Sequence, residues 1–109
     1  MITDETIDKA LDWLVKNATH AARARANRIY LDEYRKHLKA RLMRSSGEDT
    51  VAAQEREAYA SAQYVVHLDT LKDAIEEDER YRWLTTAAEA KIEVWRSEQA
   101  NQRAQGKIG

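Results

Sequence analysis

Arg44-Ser45-Ser46-Gly47-Glu48-Asp49-Thr50 is the stretch that decides the fold. The 109-residue chain contains no proline and three glycines, two of them at its C-terminal end (Gly106, Gly109). Gly47 is therefore the one strong internal helix breaker. It can take the left-handed conformation that ends a helix, and Asp49 or Thr50 can accept from the open amides of the next one.

Upstream of this break, Thr3 or Asp4 is suited to cap a helix, and Glu5 and Asp8 to favour the positive end of its dipole. Apolar residues then recur at Ile7, Leu11, Leu14, Ala18, Ala21/Ala22, Ala26, Ile29/Tyr30, Tyr34, Leu38 and Leu42. Steps of three and four predict a helix over about 4–44, roughly 60 Å if unbroken. Downstream, Val51 to Ala60 reads as a short helix over about 50–60 after a turn at 45–49. Ser61 is placed to cap a third helix over about 61–104. The third seam runs Tyr64, Leu68, Leu71, Ala74/Ile75, Asp78, Tyr81, Leu84/Thr85, Ala88, Ile92 and Trp95. Its spacing near 3.5 predicts a stripe that stays on one side of a gently supercoiled helix. Past Gln99 the seam turns polar, and fraying is expected by Gly106. The small alanines between Ala21 and Ala26 bury little area, so the first seam is weak there.

Charge is segregated along the chain. Its 18 basic and 19 acidic residues balance to −1, yet residues 23–44 carry +6 and residues 45–79 carry −8. Residues 1–22 carry −2 and residues 80–109 carry +3. A hairpin that sets residue i opposite a residue near about 105 − i brings the basic block beside 61–82, which holds Asp69, Asp73 and Glu76 to Glu79. The same alignment sets Asp4, Glu5, Asp8 and Asp12 beside Arg96 and Arg103. Such pairs contribute little each, about 0–1 kcal/mol, and serve to fix alignment and direction. The expected fold is an all-α, coiled-coil-like antiparallel helical hairpin with a short connecting helix, in one domain covering 1–109. Two seams, partly alanine, form a thin core. Trp83 lies off the main seam on a second stripe with Leu84 and Ala87, so two copies are expected to pair into a helical bundle.

Composition excludes several chemistries. There is no cysteine, so no disulfide framework, thiolate metal site or cysteine nucleophile. No apolar run reaches the length of a membrane span, and residues 1–20 do not resemble a signal peptide. A cytoplasmic protein without membrane contact is expected. No glycine-rich phosphate loop and no Ser/His/Asp spacing is present. His37, His67 and Glu33 could approach one another in the hairpin, but without a metal-binding motif they read as seam-edge residues. The Glu-x-x-His pattern of di-iron bundles is absent. The Glu76 to Glu79 run reads as a solvated or arginine-paired face. No catalytic residue, cofactor or metal is assigned, and the chain is expected not to be an enzyme.

Two binding surfaces can be named. Tyr81, Arg82, Trp95 and Arg96 combine the aromatic and arginine types that anchor protein interfaces, though Trp95 also suits the core. Alternatively, Arg23, Arg25, Arg28, Arg35, Lys36, Lys39, Arg41 and Arg44 could track phosphates, with Tyr30 and Tyr34 stacking on bases. Against a single basic stripe, Arg23 and Arg25 point about 200° apart on a helix.

The stretches Arg80-Tyr81-Arg82-Trp83-Leu84, Ala87 to Arg96, Gln99 to Arg103 and Ala53 to Ala60 resemble small helical accessory proteins of tailed phages and prophages, over residues 28–103. Such proteins often sit among early recombination and replication genes. The resemblance implies a non-enzymatic helical module in the bacterial host cytoplasm, assisting a phage or host DNA-processing partner. It supplies no catalytic residue. A virion structural or assembly component fits the same helices.

Overall fold

The computed structural model describes the backbone of residues 1–108 and the side chains of residues 1–106. It is all-α: α1 spans Asp4–Arg44, α2 spans Val51–Ala60 and α3 spans Ala62–Ile108. The third helix thus continues through Gly106, where fraying was expected. A glycine inside a helix weakens it by about 1 kcal/mol without ending it.

Each helix end has a specific chemical cause. Thr3 caps α1, its hydroxyl accepting from the Thr6 amide at 3.2 Å. Asp4 and Glu5 occupy the first turn and Arg41 and Arg44 the last, as the helix dipole favours. At the break, Gly47 does not take the left-handed conformation; among the described residues no glycine has positive φ. The serines end α1 instead. The Ser45 amide and hydroxyl both donate to the Arg41 carbonyl at 3.1 Å, and the Ser46 amide donates to the Met43 carbonyl at 3.1 Å. The Ser46 hydroxyl then donates to Glu57 at 2.6 Å and accepts from the Glu48 amide at 3.1 Å. Thr50 caps α2 by accepting from the Ala53 amide at 3.1 Å. Ser61 has extended backbone and serves two helices. Its amide donates to the Ala58 carbonyl, closing α2, and its hydroxyl accepts from the Tyr64 amide, opening α3.

The chain forms two compact units, each with an antiparallel pairing of α1 with α3, and the second also holds α2. The first unit holds Met1–Ala21 and the chain from Arg80 onward. Its α1 seam is Ile7, Ala10, Leu14, Asn17 and Ala21, facing Tyr81, Thr85, Ala88, Ile92, Trp95 and Gln99 on α3. The pairing is pinned where the Ile2 amide donates to Glu98 at 3.1 Å and the Trp95 indole donates to Asp4 at 3.1 Å. Arg96 takes no part in that end. It pairs along its own helix with Glu93 at 3.4 Å, while Glu5 and Asp12 pair with Lys9 and Lys16. The expected alignment of the acidic start with Arg96 is therefore replaced by neighbours one helical turn away, which are in reach as soon as the helix forms.

The second unit is Ala22–Glu79. Its α1 seam is Ala24, Arg28, Leu31, Arg35, Leu38 and Leu42; its α3 seam is Tyr64, His67, Leu71, Ala74 and Asp78. In both units the seam steps alternate between three and four, the spacing of a left-handed coiled coil. The seam is narrower than the apolar residues alone implied. Leu11, Ile29, Leu68 and Leu84, all read as seam positions, are exposed. Ala10, Asn17, Ala24 and His67 take the contact line instead. A helix pair admits small residues at its closest approach, and a large residue one step aside points into solvent.

Removing the shared cap tests this construction. Ser61→Ala is expected to lower stability by about 1 kcal/mol, a fall in melting temperature of roughly 4–8 °C. Thermal unfolding followed by far-UV circular dichroism measures it, and an unchanged midpoint contradicts the double role of Ser61.

Candidate functional site

In the second unit the charged residues of α1 fall into three groups. Arg28 crosses to α3, its guanidinium donating to Asp78 and Glu79 at 3.1 Å each. Lys39 reaches Glu55 on α2 at 2.8 Å and lies 4.8 Å from the centre of the Tyr59 ring. Arg35 and Lys36 pair locally with Asp32 and Glu33 at 3.1 and 3.4 Å. Arg23, Arg25, Arg41 and Arg44 are exposed. On α3, Asp69, Asp73, Glu76 and Glu77 are exposed as well. The two charge blocks therefore join at chosen points and leave much of the basic segment facing water.

The pairs that do cross carry a clear electrostatic signature. Glu79 and then Asp78, as hydrogen-bond acceptors, raise the pKa of Arg28. The bond from Lys39 holds the Glu55 carboxyl below the usual carboxylate range. The bond to Glu55, followed by that to Tyr59, pushes the Lys39 ammonium up.

An aromatic ladder runs along the same stretch of α1. Tyr30 and Tyr34 have ring centres 6.0 Å apart, and Tyr34 and His37 5.3 Å apart. On the other side Tyr34 meets His67 of α3 at 5.4 Å. His67 is buried, and its Nε2 donates to the Leu31 carbonyl at 2.7 Å. That bond fixes the imidazole, which in turn fixes Tyr34. Arg41 completes the row with a long 3.5 Å bond to the Tyr34 hydroxyl. Tyr34 thus stands beside both His37 and His67. Among the described residues, no group of three His, Asp or Glu side chains is placed to hold a metal ion, Glu33, His37 and His67 included.

The four aromatic and arginine anchors do not form one patch. Tyr81 and Trp95 are half-buried on the α3 seam of the first unit, while Arg82 and Arg96 are exposed. Tyr81 and Trp95 stand roughly 20 Å apart along the helix. Trp95 and Arg96 share an open cavity of about 460 Å³ with Glu93, Gln99 and Arg103, whereas Tyr81 and Arg82 are not part of it. Beside them on α3, Trp83 is turned outward, 70% exposed.

The chain matches no protein-family model, no curated protein and no solved structure. Among the described residues, no helix is long and apolar enough to cross a membrane.

The Lys39–Glu55 contact makes stability depend on pH in a defined direction. With its folded pKa depressed, Glu55 contributes stability that is present above the ordinary glutamate value, about 4.3, and lost as pH falls through the folded value. Because Lys39 is raised, its share is full below the ordinary lysine value, about 10.4, and is lost as pH rises from there through the raised one. Glu55→Gln is therefore expected to be less stable than the wild type at neutral pH, with the gap closing in acid. Urea midpoints measured across the acid range check this, and a gap independent of pH contradicts it.

Proposed function

We propose that the chain is a non-enzymatic helical interaction module that pairs with a second copy of itself. Its work is to assist a DNA-processing partner in the cytoplasm of a phage-infected or prophage-bearing bacterium. The observation that carries the pairing is the outward face of α3 in the first unit. Trp83, Ala87, Ala90 and Val94 are all exposed and follow one another at steps of four, three and four. That is the spacing of a helix seam, on the side of α3 turned away from its own seam. On α1, Leu11, Val15 and Ala18 are exposed at steps of four and three, with Val15 79% accessible.

The occupant is a second copy because the chain's own core is thin. Of the buried apolar residues, Ala10, Ala24, Ala58, Ala74 and Ala88 are alanines, and among the described residues no large side chain is fully buried. A core of this kind rarely stabilises so short a chain alone, and association is one of the few remedies open to a protein without cysteine. Burying Trp83 contributes about 1.5–3 kcal/mol or more in each copy. The setting among phage recombination and replication proteins rests on the resemblance over residues 28–103. The arginines beside this face, Arg80 and Arg82, suit contact with a further partner.

Light scattering on the wild type is expected to give about twice the 12.6 kDa chain mass at micromolar concentration. Trp83→Lys is expected to shift the mass toward one chain while keeping the helical circular dichroism spectrum. A wild type that stays monomeric and fully helical contradicts the pairing.

A further inference from the structure

On α1 of the second unit, Arg23, Tyr30, Tyr34, His37, Arg41 and Arg44 fall on one line, with Asn27 between the first two. The steps alternate four and three throughout, so the row keeps to one face of the helix. Each residue from Arg23 to Arg41 directly precedes a seam position, which sets the row beside the seam and not within it. The row contains no carboxylate. Arg25, which follows Arg23 by two, lies off it. The basic segment wraps round the helix as a block, yet it holds a single coherent stripe.

The stripe is built to present rings. Tyr34 is half-buried and held from three sides, by the Tyr30 ring at 6.0 Å, the His37 ring at 5.3 Å and the His67 ring at 5.4 Å. The Arg41 guanidinium donates to its hydroxyl at 3.5 Å. Tyr30, 63% exposed, and the exposed His37 stand on either side of this fixed ring. The hydrophobic core does not use Tyr30. Arginines close the row at both ends, and Arg23 and Arg44 are separated by roughly 30 Å of helix.

We propose that this row binds single-stranded nucleic acid, with Tyr30 and His37 stacking on bases and Arg23, Arg41 and Arg44 holding phosphates. Stacking on rings and tracking phosphates with cations is the chemistry of strand binding without base readout. The acidic residues of the neighbouring helix decide between one strand and two. On α3, Asp69 and Glu76 lie on the face turned away from α1, but Asp73 and Glu77 are exposed beside the seam, on a helix whose axis lies about 10 Å from that of α1. The second phosphate backbone of a duplex would be driven against them, whereas one strand can follow α1 alone. This surface is independent of the pairing face at Trp83.

Fluorescence anisotropy with labelled oligo-dT, oligo-U and a duplex of equal length tests the proposal. Binding of a single strand ahead of the duplex is expected at about 50 mM salt, weakening as salt rises. Three phosphate contacts predict a log–log slope of about −2. The comparison of oligo-dT with oligo-U shows whether DNA or RNA is preferred; either supports the row. Tyr30→Ala, at an exposed position, is expected to weaken binding roughly tenfold. Arg41→Gln is expected to flatten the salt slope, whereas Arg25→Gln, with the same charge change off the row, is not. Absence of binding at low salt, equal effects of the two arginine variants, or an unchanged affinity in Tyr30→Ala overturns the proposal. So does a Tyr30→Ala protein whose assembly mass falls while the wild type ignores oligonucleotides, since the row would then be a contact between copies.

Discussion

Two helices that lie side by side share only one line of contact, and this geometric constraint governs the molecule. In each unit one α1 seam meets one α3 seam, and only in the second does the short α2 add a further packed face, at Ala58. The contact line must therefore carry both the packing and the alignment. Alanines at Ala10, Ala24, Ala74 and Ala88 let the backbones approach, at the cost of buried area. Alignment is set by the polar residues placed on or beside the line: Arg28 against Asp78 and Glu79, His67 against the Leu31 carbonyl, and Asp4 against Trp95. Each finds its partner at one sliding position of the helices. A shift by one turn would leave a half-buried charge or imidazole unpaired, which costs more than any single contact gains.

The same constraint explains what the amino-acid sequence showed and what it concealed. The break at 45–50 and the fresh start at Ser61 were legible because capping is local chemistry, and each of the other two caps was narrowed to a pair, Thr3 or Asp4 and Asp49 or Thr50, of which the threonines serve. The helices were legible from hydrophobic steps of three and four, and their antiparallel pairing from the opposed charge blocks on either side of the break. The seam's phase was harder to read. Leu11, Leu68 and Leu84 look like core residues, whereas the line actually passes through Asn17, Arg28, Arg35 and His67. A reading that follows the largest apolar residues drifts off a line that tolerates polar ones. Strict three-four counting from Ile7, or from Tyr64, would have stayed on it. The left-handed glycine expected at Gly47 fails for a related reason. Two serine hydroxyls satisfy the loose carbonyl and amide groups there, so the chain does not need that turn.

Charge complementarity between the blocks was visible in the residue counts, but its use was not. Net values of opposite sign along a hairpin invite a zipper of ion pairs. In the structure, Arg35 and Lys36 turn to Asp32 and Glu33 on their own helix, and Arg96 turns to Glu93. A neighbour one turn away is in reach as soon as the helix forms, whereas a partner across the seam is met in only one alignment of the two helices. The pairs that leave the helix are made by Arg28, which stands in the seam and meets α3, and by Lys39, which reaches Glu55 of α2 beside the Tyr59 ring. The nucleic-acid candidates of the basic segment thus divide by helical phase. Arg28 and Lys39 are used inside the fold, Arg35 and Lys36 are paired along the surface, and Arg23, Arg41 and Arg44 remain on the open row.

Both outward surfaces arise from this division. A helix of heptad spacing has other lines of the same period besides its seam, and a residue type that avoids the seam must appear on one of them. Along α3 of the first unit the free line holds Trp83, Ala87, Ala90 and Val94; along α1 of the second it holds arginines and rings. The first is apolar and lacks a side chain to cover it, so its free energy falls when another apolar surface arrives. The second is cationic and already solvated, and its central ring, Tyr34, packs against the buried His67. The buried His67, a poor choice for a core taken by itself, therefore has a role in both settings: it locks the alignment of α1 with α3 through Leu31, and it holds in place the tyrosine on which the exposed row is built.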